Sequence, residues 1–307
     1  MGRYVWRRLW GAIPTLLVII TLAFFLIRLA PGGPFDSERV VSPEIAANMA
    51  RAYHLDQPLP VQYGHYLWNV MQGDFGPSFK YKDHAVSELI AQGFPVSLQL
   101  GLTAMLLALL IGLPVGMIAA LNQNRPLDHG IMALAMTGIT IPSFVLAPLL
   151  ALIFGVVLHW LPVAGWDGGW QSAVLPVIAL ALPQIAYAAR LMRASMLETL
   201  SSPHIRTAKA KGLPTLLILR RHVLKGALLP VLSWLAPATA AIITGSVVIE
   251  QIFGIPGIGR HFVQGALNRD YTLVMGVVIF YGALIIFMNL LVDVLYGLID
   301  PRVRYES

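Results

Sequence analysis

Six long, mostly apolar runs constrain this chain more than any other feature. They are residues 13–30, 96–121, 131–158, 174–189, 227–249 and 273–292, and the first of them contains one charge, Arg28. A helix of about 20 apolar residues crosses the roughly 30 Å of hydrocarbon in a bilayer. The run 174–189 is the shortest, but Trp170 and Tyr187 suit interfacial anchors. We therefore predict an all-α integral membrane protein with six transmembrane helices.

The composition agrees with this fold class. Hydrophobic residues make up 57% of the chain and charged residues 12%, against about 25% charged residues in soluble domains. The first apolar run is longer than the core of a secretory signal peptide, and the residues around Ala30 form a poor cleavage site. We therefore expect the first run to be a retained transmembrane helix.

The distribution of Lys and Arg predicts the orientation. Residues 1–10, 122–130, 190–226 and 293–307 together hold 14 of the 21 Lys and Arg residues, whereas the short loop 159–173 holds none. Short cytoplasmic loops carry the excess of positive charge in membrane proteins. We therefore predict that both termini are cytoplasmic. The net charge of +6 then reflects topology and does not indicate nucleic-acid binding.

We divide the chain into three parts. Residues 1–30 form the N-terminal tail and first span, 31–95 form a periplasmic cap loop, and 96–307 form the core, which includes a cytoplasmic loop at 190–226. The cap loop is too long for a simple connector.

The cap loop contains two predicted short helices. Ser42-Pro43-Glu44 opens one, and Pro60 opens another that Gly73 closes. Aromatic residues are frequent in this loop, and they either seat the cap at the lipid interface or contact a partner; they are Tyr53, Tyr63, Tyr66, Trp68, Phe75, Phe79 and Tyr81.

Proline and glycine punctuate the predicted spans. Each proline removes a helix hydrogen bond and allows a kink; the prolines are Pro114, Pro142, Pro148, Pro176, Pro183, Pro230 and Pro237. Gly112 and Gly116 are spaced as in closely packed membrane helices.

The chain carries no recognisable catalytic or cofactor chemistry. It has no phosphate-binding loop of the Walker type, no cysteine, and no histidine grouping with metal-ligand spacing. Ionisable residues are nearly absent from the spans, because Glu250 and Asp293 stand only at span ends. Carriers driven by ion gradients usually bury such residues. We therefore expect a non-enzymatic protein that is energised from outside, or a passive pore or scaffold.

One cytoplasmic segment stands out. Residues 190–225 carry eight Lys and Arg residues and one acidic residue. They contain a short predicted helix with recognisable start and stop residues. Ser202 is a candidate N-cap, Pro203 suits the first helical position, and Gly212 suits the left-handed conformation that ends a helix. A helix of this length is marginal alone in water, so docking must stabilise it. The alternative is a solvated basic loop that only fixes orientation.

Several motifs carry a family resemblance. RTAKAKG at 206–212, followed by Leu229-Pro230, resembles the cytoplasmic EAA loop of binding-protein-dependent ABC importer permeases. Arg206 and Thr207 replace the Glu and first Ala of the general motif, as is usual in the peptide-transport branch. Further similar segments are RRLWGAIPTLLVIITLAFFLIRLAPGGPF at 7–35, GDFGPSF at 73–79, TGITIPSFVLAPLL at 137–150, GIPGIGRHFVQGALNRDY at 254–271 and IDPRVRY at 299–305. The chain most resembles the first membrane subunit of oligopeptide permeases.

The resemblance implies a complex in the bacterial inner membrane with the type I importer fold. A second homologous permease, two cytoplasmic ATP-binding subunits and a periplasmic peptide-binding protein are the implied partners, together with membrane lipid. ATP and magnesium would bind the ATP-binding subunits, and this chain would hold no cofactor and no metal. Dipeptides, murein peptides or other small cargo are alternatives to oligopeptides. A secondary carrier or channel, or a membrane scaffold, remains the competing class.

The resemblance also implies which residues couple to the ATPase. The short helix would be the coupling helix and would approach an ATPase groove closely. The implied coupling residues are Pro203, Arg206, Thr207, Ala208, Lys209, Ala210, Lys211, Gly212 and Pro230.

Two outer segments leave alternatives open. Residues 254–259, rich in glycine and proline, form either a tight turn that lines an entrance or a simple connector. Arg269 and Asp270 form either a local ion pair or a contact for the binding protein.

Overall fold

A computed structural model describes residues 2–29, 56–81 and 83–299, with side chains at 10–29, 56–81 and 83–291. Within these residues the chain is helical and has no strand; an isolated bridge joins Pro77 and Ala85. The α-helices are α1 (Gly2–Leu29), α2 (Leu59–Met71), α3 (Val86–Leu121), α4 (Pro126–Thr140), α5 (Ser143–Leu150), α6 (Trp170–Ser201), α7 (Pro203–Ala210), α8 (Thr215–Ile218), α9 (Leu224–Gly245), α10 (Val247–Phe253), α11 (Ile258–Leu267) and α12 (Tyr271–Ile299). Two π-helical segments, Ala151–Val157 and Leu219–Val223, follow α5 and α8.

Five helical stretches in the described residues are long and apolar enough to cross a membrane. They are Trp10–Leu29, Val86–Leu121, Trp170–Ser201, Thr215–Gly245 and Tyr271–Leu291. A sixth candidate consists of Pro126–Thr140 and Ser143–Val157, which are bent by 99° relative to each other. The prediction of an all-α membrane protein is confirmed, with five spans or with six if the bent pair counts as one.

The third predicted span, 131–158, is therefore not one straight helix. The chain leaves helical geometry at Ile141, whose φ and ψ are −84° and 116°. Pro142 causes this, because a proline ring disfavours the helical region for the preceding residue and supplies no N–H group. The carbonyl of Pro142 then accepts hydrogen bonds from the N–H groups of Val145 and Leu146, which start α5.

The fourth predicted span is longer than its apolar run. α6 has 32 residues and so extends over about 48 Å, beyond the hydrocarbon. The sequence boundary at 189 reflected the charge on Arg190 and not the end of the helix. The fifth predicted span, 227–249, is interrupted instead, because α9 ends at Gly245 and α10 begins at Val247.

The described chain forms two compact units, Met1–Ser97 with Pro256–Leu290, and Leu98–Ile255 with Leu291–Ser307. In the first unit, a core of Val86, Leu89, Ile90, Ile258, Leu273 and Val277 joins the start of α3 to α11 and α12. The packing is tight at Gly276, where an added Cβ would lie 2.5 Å from Cγ1 of Val86.

The described part of the predicted cap packs within the first unit. α2 begins after Pro58, and Gly73 follows it with a φ of +77°, as predicted. The Tyr63 hydroxyl lies 2.7 Å from the Thr21 hydroxyl, and its ring contacts Phe24 and Phe25. Tyr63 therefore packs against α1, whereas Trp68 remains 62% exposed. The predicted helix at 42–44 and Tyr53 lie outside the described residues.

In the second unit, α6 packs closely against α3 and α4. An added Cβ on Gly112 would lie 2.7 Å from the Ala188 Cβ, and one on Gly116 would lie 2.3 Å from the Ala189 carbonyl oxygen. These distances confirm the predicted close-packing role of the glycine pair. At Gly138 of α4, an added Cβ would lie 3.1 Å from the Leu182 carbonyl oxygen.

Candidate functional site

The predicted short helix is present as α7, which has eight residues and begins at Pro203. Ser202 occupies the N-cap position, but the predicted cap bond is wrong. The Ser202 hydroxyl donates to the Thr199 carbonyl at 2.6 Å, and no side chain caps the first turn. Ser202 directly follows α6, so its hydroxyl satisfies a carbonyl at the end of α6 instead. Ser202 thus joins two helices.

The C-terminus of α7 follows the glycine prediction. Gly212 has a φ of +72°, a conformation in which a Cβ is unfavourable. The Gly212 N–H donates to Lys209 O at 3.0 Å, and the Leu213 N–H donates to Ala208 O at 3.3 Å. This pair of bonds is a Schellman motif. Leu213 packs against the buried cluster beneath α7, so the motif stops the helix and anchors the chain after it.

One side of α7 is buried against its own chain. Ile205 is 0% exposed and Ala208 is 5% exposed, three residues apart and therefore on the same helix face. They pack in a cluster with residues from α3, α6, α8, α9 and the second π-helical segment, namely Ala120, Met192, Met196, Ile218, Val223, Ala227 and Val231. Ala208, implied to meet an ATPase groove, instead faces the interior of its own subunit. We call Ile205 and Ala208 the seating face.

The remaining predicted coupling residues of α7 and its end are exposed. We call these residues the docking face; they are Pro203, Arg206, Thr207, Lys209, Ala210, Lys211 and Gly212. Thr207 is partly engaged, because its hydroxyl donates to the Pro203 carbonyl at 3.1 Å. The small side chains of Thr207 and Ala210 let another protein approach the helix backbone.

The docking face is strongly basic. Exposed Arg206, Lys209 and Lys211 are followed by exposed Arg220 and Arg221 in the second π-helical segment, and residues 202–226 contain no acid. This surface can attract an acidic partner, since complementary potentials steer association.

Pro230 belongs to a different element. It lies inside α9, and its neighbour Val231 is in the cluster beneath α7. Gly226, one turn before it, allows α9 to approach the end of α6, because a Cβ there would lie 3.3 Å from Thr199 Cγ2. Pro230 is therefore placed on a helix that supports α7.

The outer segments also take defined structures. Gly254 has a φ of +66° and ends α10, with the Ile255 N–H donating to the Glu250 carbonyl at 2.8 Å. Gly257 precedes α11 as its N-cap residue. The two glycines therefore end one helix and begin the next.

Asp270 is a structural residue and not a partner of Arg269. It is fully buried, and its carboxylate accepts hydrogen bonds from Ser78 Oγ at 2.5 Å and the Lys80 N–H at 3.2 Å. It also accepts from Thr272 Oγ1 and the Leu273 N–H, which caps the start of α12. Of the two alternatives for Arg269 and Asp270, the local ion pair is therefore wrong; an Asp directly before an apolar helix is the sequence signal for the N-cap that was missed.

An ion pair that was not predicted from the sequence joins α4 to α6; its carboxylate is buried and its guanidinium is partly exposed. Asp128 is 0% exposed, and its two oxygens accept from Nε and Nη2 of Arg193, both at 2.6 Å. Nothing in the local pattern of either residue marks this contact, because the residues are far apart along the chain. Asp128, Glu250 and Asp270 are the three fully buried carboxylates among the described residues.

Comparisons with known proteins agree over the whole chain. A family profile described as "Binding-protein-dependent transport system inner membrane component" matches residues 112–305, and one described as "Binding-prot-dependent transport system membrane comp, N-term" matches residues 1–101. The oligopeptide transport system permease protein OppB of Escherichia coli (strain K12) is 56% identical over 306 residues, which cover 99% of this chain and 100% of that protein. The dipeptide transport system permease protein DppB of Bacillus subtilis (strain 168) is 46% identical and covers 100% of this chain and 99% of its own length.

A solved structure shares the fold. The MetNI methionine ABC transporter in inward-facing conformations aligns with a TM-score of 0.57 at 18% identity, over 69% of this chain and 96% of the solved chain.

Proposed function

The chain belongs to the family of binding-protein-dependent transport system inner membrane components, and on that premise we propose that it carries oligopeptides across the bacterial inner membrane. It is a multi-pass permease subunit of an ABC importer. The observation that carries the cargo assignment is the end-to-end identity of 56% with an oligopeptide permease, against 46% with a dipeptide permease. Dipeptides, murein peptides or other small cargo form the alternative.

In this proposal the chain forms part of the passage for the peptide and catalyses no reaction itself. Two cytoplasmic ATP-binding subunits hold ATP and magnesium, a second homologous permease completes the passage, and a periplasmic protein delivers the peptide. Six spans place both termini in the cytoplasm, with 31–95 as the outer cap and 96–307 as the permease core. The distribution of Lys and Arg supports this topology.

The docking face of α7 is the proposed contact with an ATP-binding subunit. Its exposed cations lie on a helix whose opposite side is seated in the permease, so a push on α7 is transmitted into the subunit. A solvated loop that only fixes orientation would need no seating face. The burial of Ile205 and Ala208 therefore favours coupling.

One reconstitution tests the proposed function. The chain is purified in mild detergent with its neighbouring gene products and placed in lipid vesicles. We expect a second permease and an ATPase to co-purify, and peptide-loaded binding protein to stimulate ATP hydrolysis and peptide uptake. Uphill transport by this chain alone, driven by an ion gradient, would instead favour a secondary carrier.

The topology is testable because the chain has no cysteine. A cysteine in place of exposed Ser201, at the end of α6, should react with a membrane-impermeant maleimide only from the cytoplasmic side. A cysteine in place of exposed Gln72, after α2, is the matched control and should react only from the periplasmic side. Periplasmic labelling at 201 would invert the proposed topology.

The charge of the docking face should set part of the affinity for the ATPase. Reversing Arg206 and Lys209 to Glu should weaken ATPase binding roughly tenfold at low ionic strength, and the difference should shrink as salt screens the charges. Binding of the ATPase to permease held in nanodiscs measures this. Exposed Lys80 in the first unit supplies the control, since Lys80→Glu should leave the affinity unchanged. Equal affinity of the reversed and native permease would exclude this face as the contact.

A further inference from the structure

The ion pair between Asp128 and Arg193 differs from a surface ion pair, because the Asp128 carboxylate is fully buried. The guanidinium and carboxylate meet through two parallel hydrogen bonds, Nε to Oδ1 and Nη2 to Oδ2, both 2.6 Å long. The Asn124 N–H also donates to Oδ2 at 3.0 Å. Two-point pairing fixes orientation as well as distance, so the pair holds the two helices at a defined angle.

The pair fixes the start of α4 to α6. Of the fifteen residues of α4, Asp128 is the one that is buried. The rest of the helix is intermediate or exposed, as expected for a lipid-facing element. The attachment lies in the first turn of α4, about 21 Å from the bend at Pro142 by helical rise.

Beyond the pair, α4 also contacts α6 near its other end, where an added Cβ on Gly138 would lie 3.1 Å from the Leu182 carbonyl oxygen. An open groove of about 400 Å³ lies between α3, α4, α5 and α6 and is lined mostly by apolar side chains, including Leu134, Ile141, Leu146, Leu182 and Ile185. The groove is lined by residues on both sides of the bend at Pro142, so α5 has space to change its angle to α4 while α4 stays in contact with α6.

The other half of the pair leads directly to α7. Arg193 is eight residues before the end of α6, about 12 Å by helical rise. Ser202 continues α6 into α7, and its N–H and hydroxyl both donate to the Thr199 carbonyl. Met192 and Met196, on either side of Arg193, belong to the cluster that seats Ile205 and Ala208. The helix α6 is therefore held both to α7 and to α4.

We propose that the Asp128–Arg193 pair is a mechanical connection through which movement of α7 reaches the bent span. The proposal rests on the proposed function, in which an ATPase pushes α7. The two residues are positioning residues, because neither touches cargo or nucleotide. They make α4 follow α6, so that the bend at Pro142 moves when the docking face moves.

The test uses the complete complex in lipid vesicles and measures peptide uptake and ATP hydrolysis together. In Asp128→Asn we expect the number of peptides imported per ATP hydrolysed to fall roughly tenfold, while hydrolysis stimulated by loaded binding protein continues. Arg193→Lys keeps the charge but loses the two-point geometry, and it should give an intermediate ratio. If the ion pair only stabilised the fold, its loss would lower uptake and hydrolysis in proportion to the amount of complex. The number of peptides imported per ATP would then stay unchanged.

A second variant covers the case in which the single substitution prevents folding. The double change Asp128→Leu with Arg193→Met removes both charges, so no buried charge is left unpaired. It should fold and show the same reduced ratio. A native ratio in this variant overturns the proposal.

A distance measurement between α4 and α6 distinguishes a mechanical role of the ion pair from a role in the stability of the fold. Cysteine is absent from the chain, so spin labels can be placed at exposed His129 on α4 and exposed Ala194 on α6. In the native pairing their separation should stay the same with and without ATP, and in Asp128→Asn it should change with ATP. A native separation that changes with ATP overturns the proposal. Native vesicles that import no peptide at all would instead refute the proposed function.

Discussion

Replacing Gly116 with alanine should remove most of the folded protein. The new Cβ would lie 2.3 Å from the Ala189 carbonyl oxygen and 2.9 Å from the Met192 Cβ, and backbone atoms of a packed helix cannot move aside as a flexible side chain can. Overpacking a tight site costs about 1–3 kcal/mol or more. Here it forces α3 away from α6, the helix that also carries Arg193. We expect a large loss of monodisperse protein and a lower thermal midpoint in mild detergent.

Gly130→Ala is the matched control. No heavy atom lies within 4 Å of the position of its added Cβ, and Gly130 lies inside α4. Alanine is more favourable than glycine in a helix by about 1 kcal/mol, so this variant should be as stable as the native protein or slightly more stable. Equal behaviour of the two variants would mean that α3 and α6 do not meet as described.

Ile205→Asp should abolish transport while the spans stay inserted. Ile205 is fully buried in the cluster beneath α7, and an unpaired carboxylate buried among apolar side chains costs several kcal/mol. We therefore expect α7 to separate from the buried cluster and unfold, because a helix of eight residues does not persist alone in water. Peptide uptake should fall to background, whereas membrane insertion, measured by the topology labels, should not change.

Ile205→Leu controls for the change of residue. A volume-conserving apolar substitution usually costs less than about 1.5 kcal/mol, so uptake should remain close to native. Normal uptake in Ile205→Asp would show that the seating face does not support coupling.

The two faces of α7 separate two kinds of defect. Substitutions in the seating face should disturb the permease itself, because Ile205 and Ala208 contact their own subunit. Substitutions in the docking face should leave the permease intact and weaken its contact with the ATPase. A bulky residue at Ala208 is therefore expected to act through misplacement of α7 and not through a direct clash with a partner.

Much of the candidate site was predictable because its features are local. Gly212 and Gly73 follow their helices with positive φ, since glycine is the residue that this conformation favours. Pro203 stands at the first position of α7 because its missing N–H is not needed there. The Ser202 prediction was wrong for a related reason, because the preceding helix competes for the same hydroxyl.

The fold class, the location of the apolar spans and the residues that start and end α7 were all evident from the amino-acid sequence. These follow from the transfer of apolar segments into lipid and from the backbone restrictions of proline and glycine, which act within a few residues. Three features became visible only in the folded chain: Ala208 faces inward, the third span bends by 99°, and Asp128 meets Arg193, 65 residues away. Such contacts depend on the rotation and packing of whole helices, and the side chains of one segment do not encode which distant segment they will meet.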